Sequence, residues 1–159
     1  MDKLIEEKIG ELLLNAKLTL ATAESCTGGL IASRITDVAG SSNYFLGGAV
    51  VYSNQAKQKV LGVREETLLQ FGAVSKQTVE EMAAGVAELY SVDVAISISG
   101  IMGPGGGSSE KPVGTTWICV LKDGAMTARK FLLTGSRVEN KISAANAALK
   151  MMDEILQGD

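Results

Sequence analysis

The run VDVAISIS, Val92 to Ser99, limits the folds open to this chain more than any other feature. It is β-branched, is flanked by turn residues and feeds directly into the loop GIMGPGGGSSEKP. Such a run reads as a buried strand, and buried strands sit in sheets covered by helices. The rest of the chain supplies those helices. Residues from about Lys3 to Ala16 carry Ile5, Ile9, Leu12 and Leu13 on one helical face. LTLATA is a second buried strand, followed by a helix from about Thr27 to Val38. NYFLGGAVVYS is a third, in which Gly47 and Gly48 mark a bulge or a close backbone approach.

Asn54 can cap a short helix that stops at Gly62, and REETLLQFG is another short helix ending in glycine. Ser75 can cap a helix from Lys76 to about Tyr90, with Val79, Met82, Val86 and Leu89 along one side. VGTTWICVL, the turn KDG and AMTARKFLL form a hairpin. Ser136 and Glu139 make a capping box at the start of a long final helix. Strands separated by helices, plus one hairpin, predict an α/β fold: a single-domain layered α/β/α sandwich with a mixed β-sheet over residues 1–159.

Bulk properties remove several function classes. The 159 residues can bury a sizeable core, and with aromatics at 4% that core must be mainly Val, Ile, Leu, Ala and Met. A net charge of −3 argues against general affinity for nucleic acid or an anionic membrane, so an anion site must come from local geometry. No apolar run approaches the roughly 18 residues of a spanning helix, and MDKLIEEKIGELLLNAK is too charged for a signal peptide. Cys26 and Cys119 make no disulfide framework, which predicts a reduced, cytoplasmic protein. Without histidine, and with two distant cysteines, no transition-metal site is expected. The carboxylates leave a magnesium site open.

The chemistry starts at ATAESCTGG, Ala21 to Gly29, a strand ending in a tight turn that opens a helix. Ser25 there is either a nucleophile or a plain helix cap. The Cys26 and Thr27 amides after it can stabilise an oxyanion or hold a phosphate. Cys26 itself is either a nucleophile or a small buried hydrophobe. The absence of histidine excludes Ser–His–Asp and Cys–His arrangements, which leaves a lysine as the common base for a serine. In YSNQAK, a cap at Asn54 puts Lys57 in the first helical turn, where the helix dipole disfavours its charged form. A solvated surface lysine is the alternative. Tyr52 orients that lysine or passes a proton, or else is a half-buried strand residue.

The loop SGIMGPGGGSSEKPVGTT lets backbone approach a ligand closely, but it matches neither a P-loop nor a dinucleotide fingerprint. It otherwise reads as a flexible surface loop. Arg137, at the first position of the last helix, opposes the dipole unless it shares a bound anion with the free amides there. Its other reading is a surface arginine.

TAESCTGGLIASRITDVAGSSNYFLGGAVVYSNQAK, GAVS, SISGIMGPGGGSSEKPVGTTWI and LTGSR together resemble the CinA C-terminal domain family, whose characterised members are nicotinamide-nucleotide amidases. The resemblance runs from about Leu4 to Leu156 and implies a stand-alone form without the N-terminal domain of longer CinA proteins. It implies hydrolysis of nicotinamide mononucleotide to nicotinic acid mononucleotide and ammonia, in pyridine nucleotide salvage, by a Ser–Lys mechanism without metal or cofactor. Ser25 then falls on the nucleophile and Lys57 on the base, with Tyr52 beside them.

Substrate contacts fall on Cys26, Thr27 and Gly28, on Ser42, and on Ser99, Gly100, Gly103, Pro104, Gly105 and Gly106. Gly114 and Thr115 of K-P-V-G-T and Arg137 of G-x-R complete them. The expected partner is a small-molecule nucleotide, and the expected assembly a homo-oligomer, a dimer or higher. Three positions depart from the family pattern. Met102 replaces an alanine and narrows the pocket, while Ser136 and Lys141 replace an aspartate and an arginine. Lysine keeps the charge but not a bidentate grip on phosphate. The alternatives are a non-catalytic nucleotide-binding or sensing module and an amidase for another small amide.

Overall fold

Small and large side chains alternate along the two central strands, and that alternation sets the layers. The computed structural model describes residues 2–158. Strands β1 (Leu20–Glu24) and β3 (Val94–Gly100) pair in parallel, Leu20 opposite Val94 and Glu24 opposite Ile98. Leu20, Ile96 and Ile98 face one side, where helices α1 (Ile5–Ala16), α2 (Leu30–Thr36) and α6 (Arg137–Gln157) cover them. Ala21, Ala23 and Ala95 face the other, under α3 (Asn54–Leu61), α4 (Glu65–Phe71) and α5 (Lys76–Tyr90). Their short side chains let α5 lie close, and the Ser97 hydroxyl reaches the Val79 carbonyl.

Strand β2 (Phe45–Val50) adds in parallel outside β1, and the hairpin β4 (Thr115–Lys122) and β5 (Ala125–Leu132) adds antiparallel outside β3. The sheet order is β2-β1-β3-β4-β5, an α/β/α sandwich around a five-stranded mixed sheet, as the sequence predicts. Gly47 and Gly48 serve both expected purposes. The register slips by one residue between Phe45 and Gly47. Gly47 lies under the Tyr90 ring, and Gly48 lies against Thr22 Oγ1, each closer than any Cβ allows.

Three local expectations differ from the structure. Helix α2 begins at Leu30 rather than Thr27, because Gly28 and Gly29 take φ of 63° and 103° and hold residues 26–29 in a turn. Helix α3 is capped by Ser53, whose side chain accepts from the Ala56 amide; Asn54 is its first helical residue. Leu89 is 52% exposed, at the margin of the buried arc that Val79, Ala83 and Val86 centre. The Ser75 cap and the Ser136–Glu139 capping box form as expected.

One consequence of the topology positions the site. The ends of β1, β2 and β3 lie on one edge of the sheet because these strands are parallel. Two antiparallel steps make β5 run the same way as β3, so its end, and the start of α6, arrive at that edge too.

Candidate active site

At that edge a cleft of about 300 Å³ opens, floored by Ser25, Cys26 and Lys57 and walled by Ser99, Gly100 and the loop after β3. Ser25 follows the last residue of β1, its amide bonded to the Ile98 carbonyl of the neighbouring strand. Lys57 sits one turn into α3 with 1% of its surface exposed. Its Nζ donates to Ser25 Oγ at 3.1 Å and to the Tyr52 carbonyl at 3.1 Å. Ser25 Oγ itself lies 3.4 Å from that carbonyl. The lysine has no carboxylate partner among the described residues. Its ammonium is therefore desolvated with no opposite charge beside it, and burial holds its pKa below the ordinary lysine value, opposed only by the Cys26 thiol.

The same burial acts oppositely on Cys26. Its thiol is pushed up to about 12 by desolvation, with Glu24 adding to the effect; its own backbone amide, Lys57 and Lys141 pull the other way. A thiol protonated at neutral pH is a poor nucleophile. The serine hydroxyl is the group against the lysine nitrogen.

Glu24 organises the turn. It is buried, and its carboxylate accepts from Thr27 Oγ1 at 2.6 Å and from the Ile31 and Ala32 amides at 2.9 Å each. The first free amides of α2 are thus taken by a carboxylate of the chain itself and do not form an anion site. The Cys26 and Thr27 amides, inside the turn, donate to no other residue among those described.

At the mouth, Arg137 spans the cleft, donating from Nη1 to the Gly103 carbonyl at 2.8 Å and from Nη2 to the Tyr52 hydroxyl at 2.8 Å. Tyr52 therefore meets Lys57 through its backbone carbonyl, while its phenol turns to the arginine. Asn140 is buried one turn further along α6. It accepts from the Gly135 amide at 2.8 Å and donates to the Met102 carbonyl at 2.9 Å, fixing the glycine loop to the helix.

Of the residues named from sequence, Ser25, Cys26, Tyr52, Lys57, Ser99, Gly100, Gly103, Gly105, Gly106 and Arg137 border the cleft. Thr27 turns inward to Glu24. Gly28, next in the turn, is exposed and does not line the cleft, with the Lys141 ammonium 3.9 Å from where a Cβ would stand. Pro104 is exposed on the outside of the loop, after a cis peptide bond. Gly114, at φ 97°, packs on the Leu133 backbone, and Thr115 Oγ1 bonds the Pro112 carbonyl, so both support the loop from behind. Ser42 is not brought to the cleft. It precedes β2, and because β2 is parallel to β1 it lies in an exposed turn at the opposite edge of the sheet.

Met102 lines the cleft with 4% exposure, most of it packed into the core. Glu24 and Asn140 were missed. Their signals, an acid beside the serine and an asparagine one turn after Arg137, carry no weight until the fold is known.

The family model of the CinA C-terminal domain matches residues 2–156. The chain is 52% identical, over 159 residues, to a CinA-like protein of Chloroherpeton thalassium, covering 98% of this chain and 38% of that one. A CinA-like protein of Thermotoga maritima is 45% identical over 157 residues, covering 99% of this chain and 38% of the other. The chain thus spans about two fifths of the curated relatives it matches. The solved structure of competence damage-inducible protein A from Klebsiella pneumoniae superposes with a TM-score of 0.93 at 34% identity, covering 96% of this chain and 95% of that one. That of a competence/damage inducible protein from Agrobacterium tumefaciens gives 0.89 at 39%, covering 99% of each. This is a single α/β domain of the layered, strand-edge-site class. It belongs to the CinA C-terminal domain family.

No helix among the described residues is long and apolar enough to cross a membrane. Nor do the described residues gather three metal-binding side chains at one place.

Proposed function

We propose that the chain is an amidase that hydrolyses the carboxamide of nicotinamide mononucleotide to the acid and ammonia. The observation that carries this reading is the unpaired, buried Lys57 Nζ 3.1 Å from Ser25 Oγ at the floor of the cleft. A neutral amine keeps one N–H on the Tyr52 carbonyl and turns its lone pair to the serine hydroxyl. Ser25 Oγ attacks the carboxamide carbon while Lys57 takes the hydroxyl proton. The oxyanion forms against the Cys26 and Thr27 amides. Lys57 then gives the proton to the departing nitrogen, the C–N bond breaks and ammonia leaves an acyl-serine. Water attacks that ester, its proton passing to Lys57 and on to Ser25 as the acid departs.

A nucleotide suits the mouth of this cleft. Arg137 uses two of its five N–H donors on Gly103 and Tyr52, leaving three for a phosphate. The glycine loop beside it lets backbone amides approach. The volume lies at the lower end of the roughly 300–1,000 Å³ typical of small-molecule sites, suiting a mononucleotide. A non-catalytic binding module has no use for a buried lysine against a serine.

Ammonia release from nicotinamide mononucleotide, the riboside and free nicotinamide tests the reading. The mononucleotide should be turned over with the highest kcat/KM. No ammonia from any of the three, or equal rates with all, contradicts it.

A further inference from the structure

A second cleft, of about 380 Å³, lies on the α5 side of the sheet, separated from the catalytic cleft by Val74, which lines both. It opens beside the start of α5: Ala128 of β5 still packs on the α5-side core, while Lys130, two residues further along β5, is exposed at the cleft. Trp117, the only tryptophan of the chain, is half-buried there, and Phe71 lines the same cleft. Lys76, Lys111 and Lys130 also line the cleft, against a single acid, Glu110. Lys130 stands directly opposite Trp117 in the β4–β5 ladder, so the two side chains share a face. Lys111 donates to the Phe71 carbonyl, closing the end of α4.

Three cations to one anion is a local excess in a molecule whose net charge is −3. Concentrated around two aromatic rings, it calls for a ligand both planar and anionic. We infer that this cleft binds a nucleoside 5′-phosphate, its base against Trp117 and its phosphate between Lys76 and Lys130. Stacking on an aromatic ring is worth about 1–3 kcal/mol per base, and charge-assisted bonds hold the phosphate. The volume admits a mononucleotide. This site is separate from the amidase chemistry and does not rest on it.

A single tryptophan inside the site makes the test direct. Titrating the protein with AMP, adenosine and inorganic phosphate while following Trp117 fluorescence should give a saturable change with AMP. Adenosine and phosphate, each with half of the recognition, should bind at least about tenfold more weakly. Lys76→Ala/Lys130→Ala, two exposed positions, should weaken AMP by a similar factor while ammonia release stays unchanged. Arg137→Ala should leave the AMP titration untouched. Absence of a saturable change overturns the inference, as does phosphate or adenosine matching AMP. So does AMP binding that survives the double substitution or disappears with Arg137→Ala.

Discussion

In the proposed mechanism, function and stability oppose each other at Lys57. Burying an ammonium without a carboxylate is costly, and the two hydrogen bonds it makes only partly offset that. Because burial lowers its pKa, the folded protein holds the proton less tightly than the unfolded chain does. The resulting destabilisation is fully present below the folded pKa and is relieved as pH rises towards the unfolded value of about 10.4. Replacing the group with an apolar chain of similar length removes this cost. Lys57→Met should raise Tm at neutral pH by a few degrees, on the order of 0.5–2 kcal/mol, while abolishing turnover. A lower Tm in a thermal melt would mean that the hydrogen bonds outweigh the burial.

The same lowered pKa sets the pH profile. Only the neutral amine accepts the serine proton, so kcat/KM should fall on acidification through a single ionisation, with no histidine to confuse it. A flat acidic limb contradicts the assignment. At the mouth, Arg137→Ala should raise KM for the mononucleotide on the order of ten- to a hundredfold and for the riboside little. Equal effects on both substrates would show that the arginine serves only to tie Gly103 to Tyr52.

Among the elements, α3 matters most because it carries Lys57, and its position depends on α5. Gly85 of α5 lies against the Leu61 carbonyl at the end of α3, where a Cβ would come within 2.0 Å of the oxygen. Gly85→Ala must push the helices apart. It should cost about 1–3 kcal/mol by denaturant titration and lower kcat as Lys57 leaves Ser25. Unchanged kcat at reduced stability would show that the Ser25–Lys57 contact does not depend on where α3 sits.

Element existence was legible in the sequence, whereas element ends were less so. Ser53 and Asn54 are both good caps, and local chemistry does not choose between them. The start of α2 was hidden because its cap is Glu24, a side chain six residues before the helix that reaches it only after the turn has folded.

For the whole molecule, the parallel pairing of β1 with both β2 and β3 does most to assemble the site. It brings a serine, a lysine-bearing helix and a glycine loop to one edge from segments far apart in the chain, and the two antiparallel steps from β3 to β5 add the arginine. Motif spacing singled out Ser25, Lys57 and Arg137, which the fold brings to one cleft, because each stands at a strand end or a helix start, where local sequence is informative. It placed Tyr52 beside the lysine but could not say through which atom, since nothing local tells a carbonyl contact from a phenol contact. It also included Ser42, whose distance from the cleft follows only from strand direction.

Everything functional rests on Ser25 and Lys57 acting as a pair. Ammonia release from nicotinamide mononucleotide by Ser25→Ala and Lys57→Arg, beside the unaltered chain, measures that pair directly. Both variants should fold and both should lose on the order of a thousandfold or more in kcat, since removing either half disables the unit and guanidinium cannot accept the proton. A Ser25→Ala or Lys57→Arg protein that turns over at close to the unaltered rate would contradict the account.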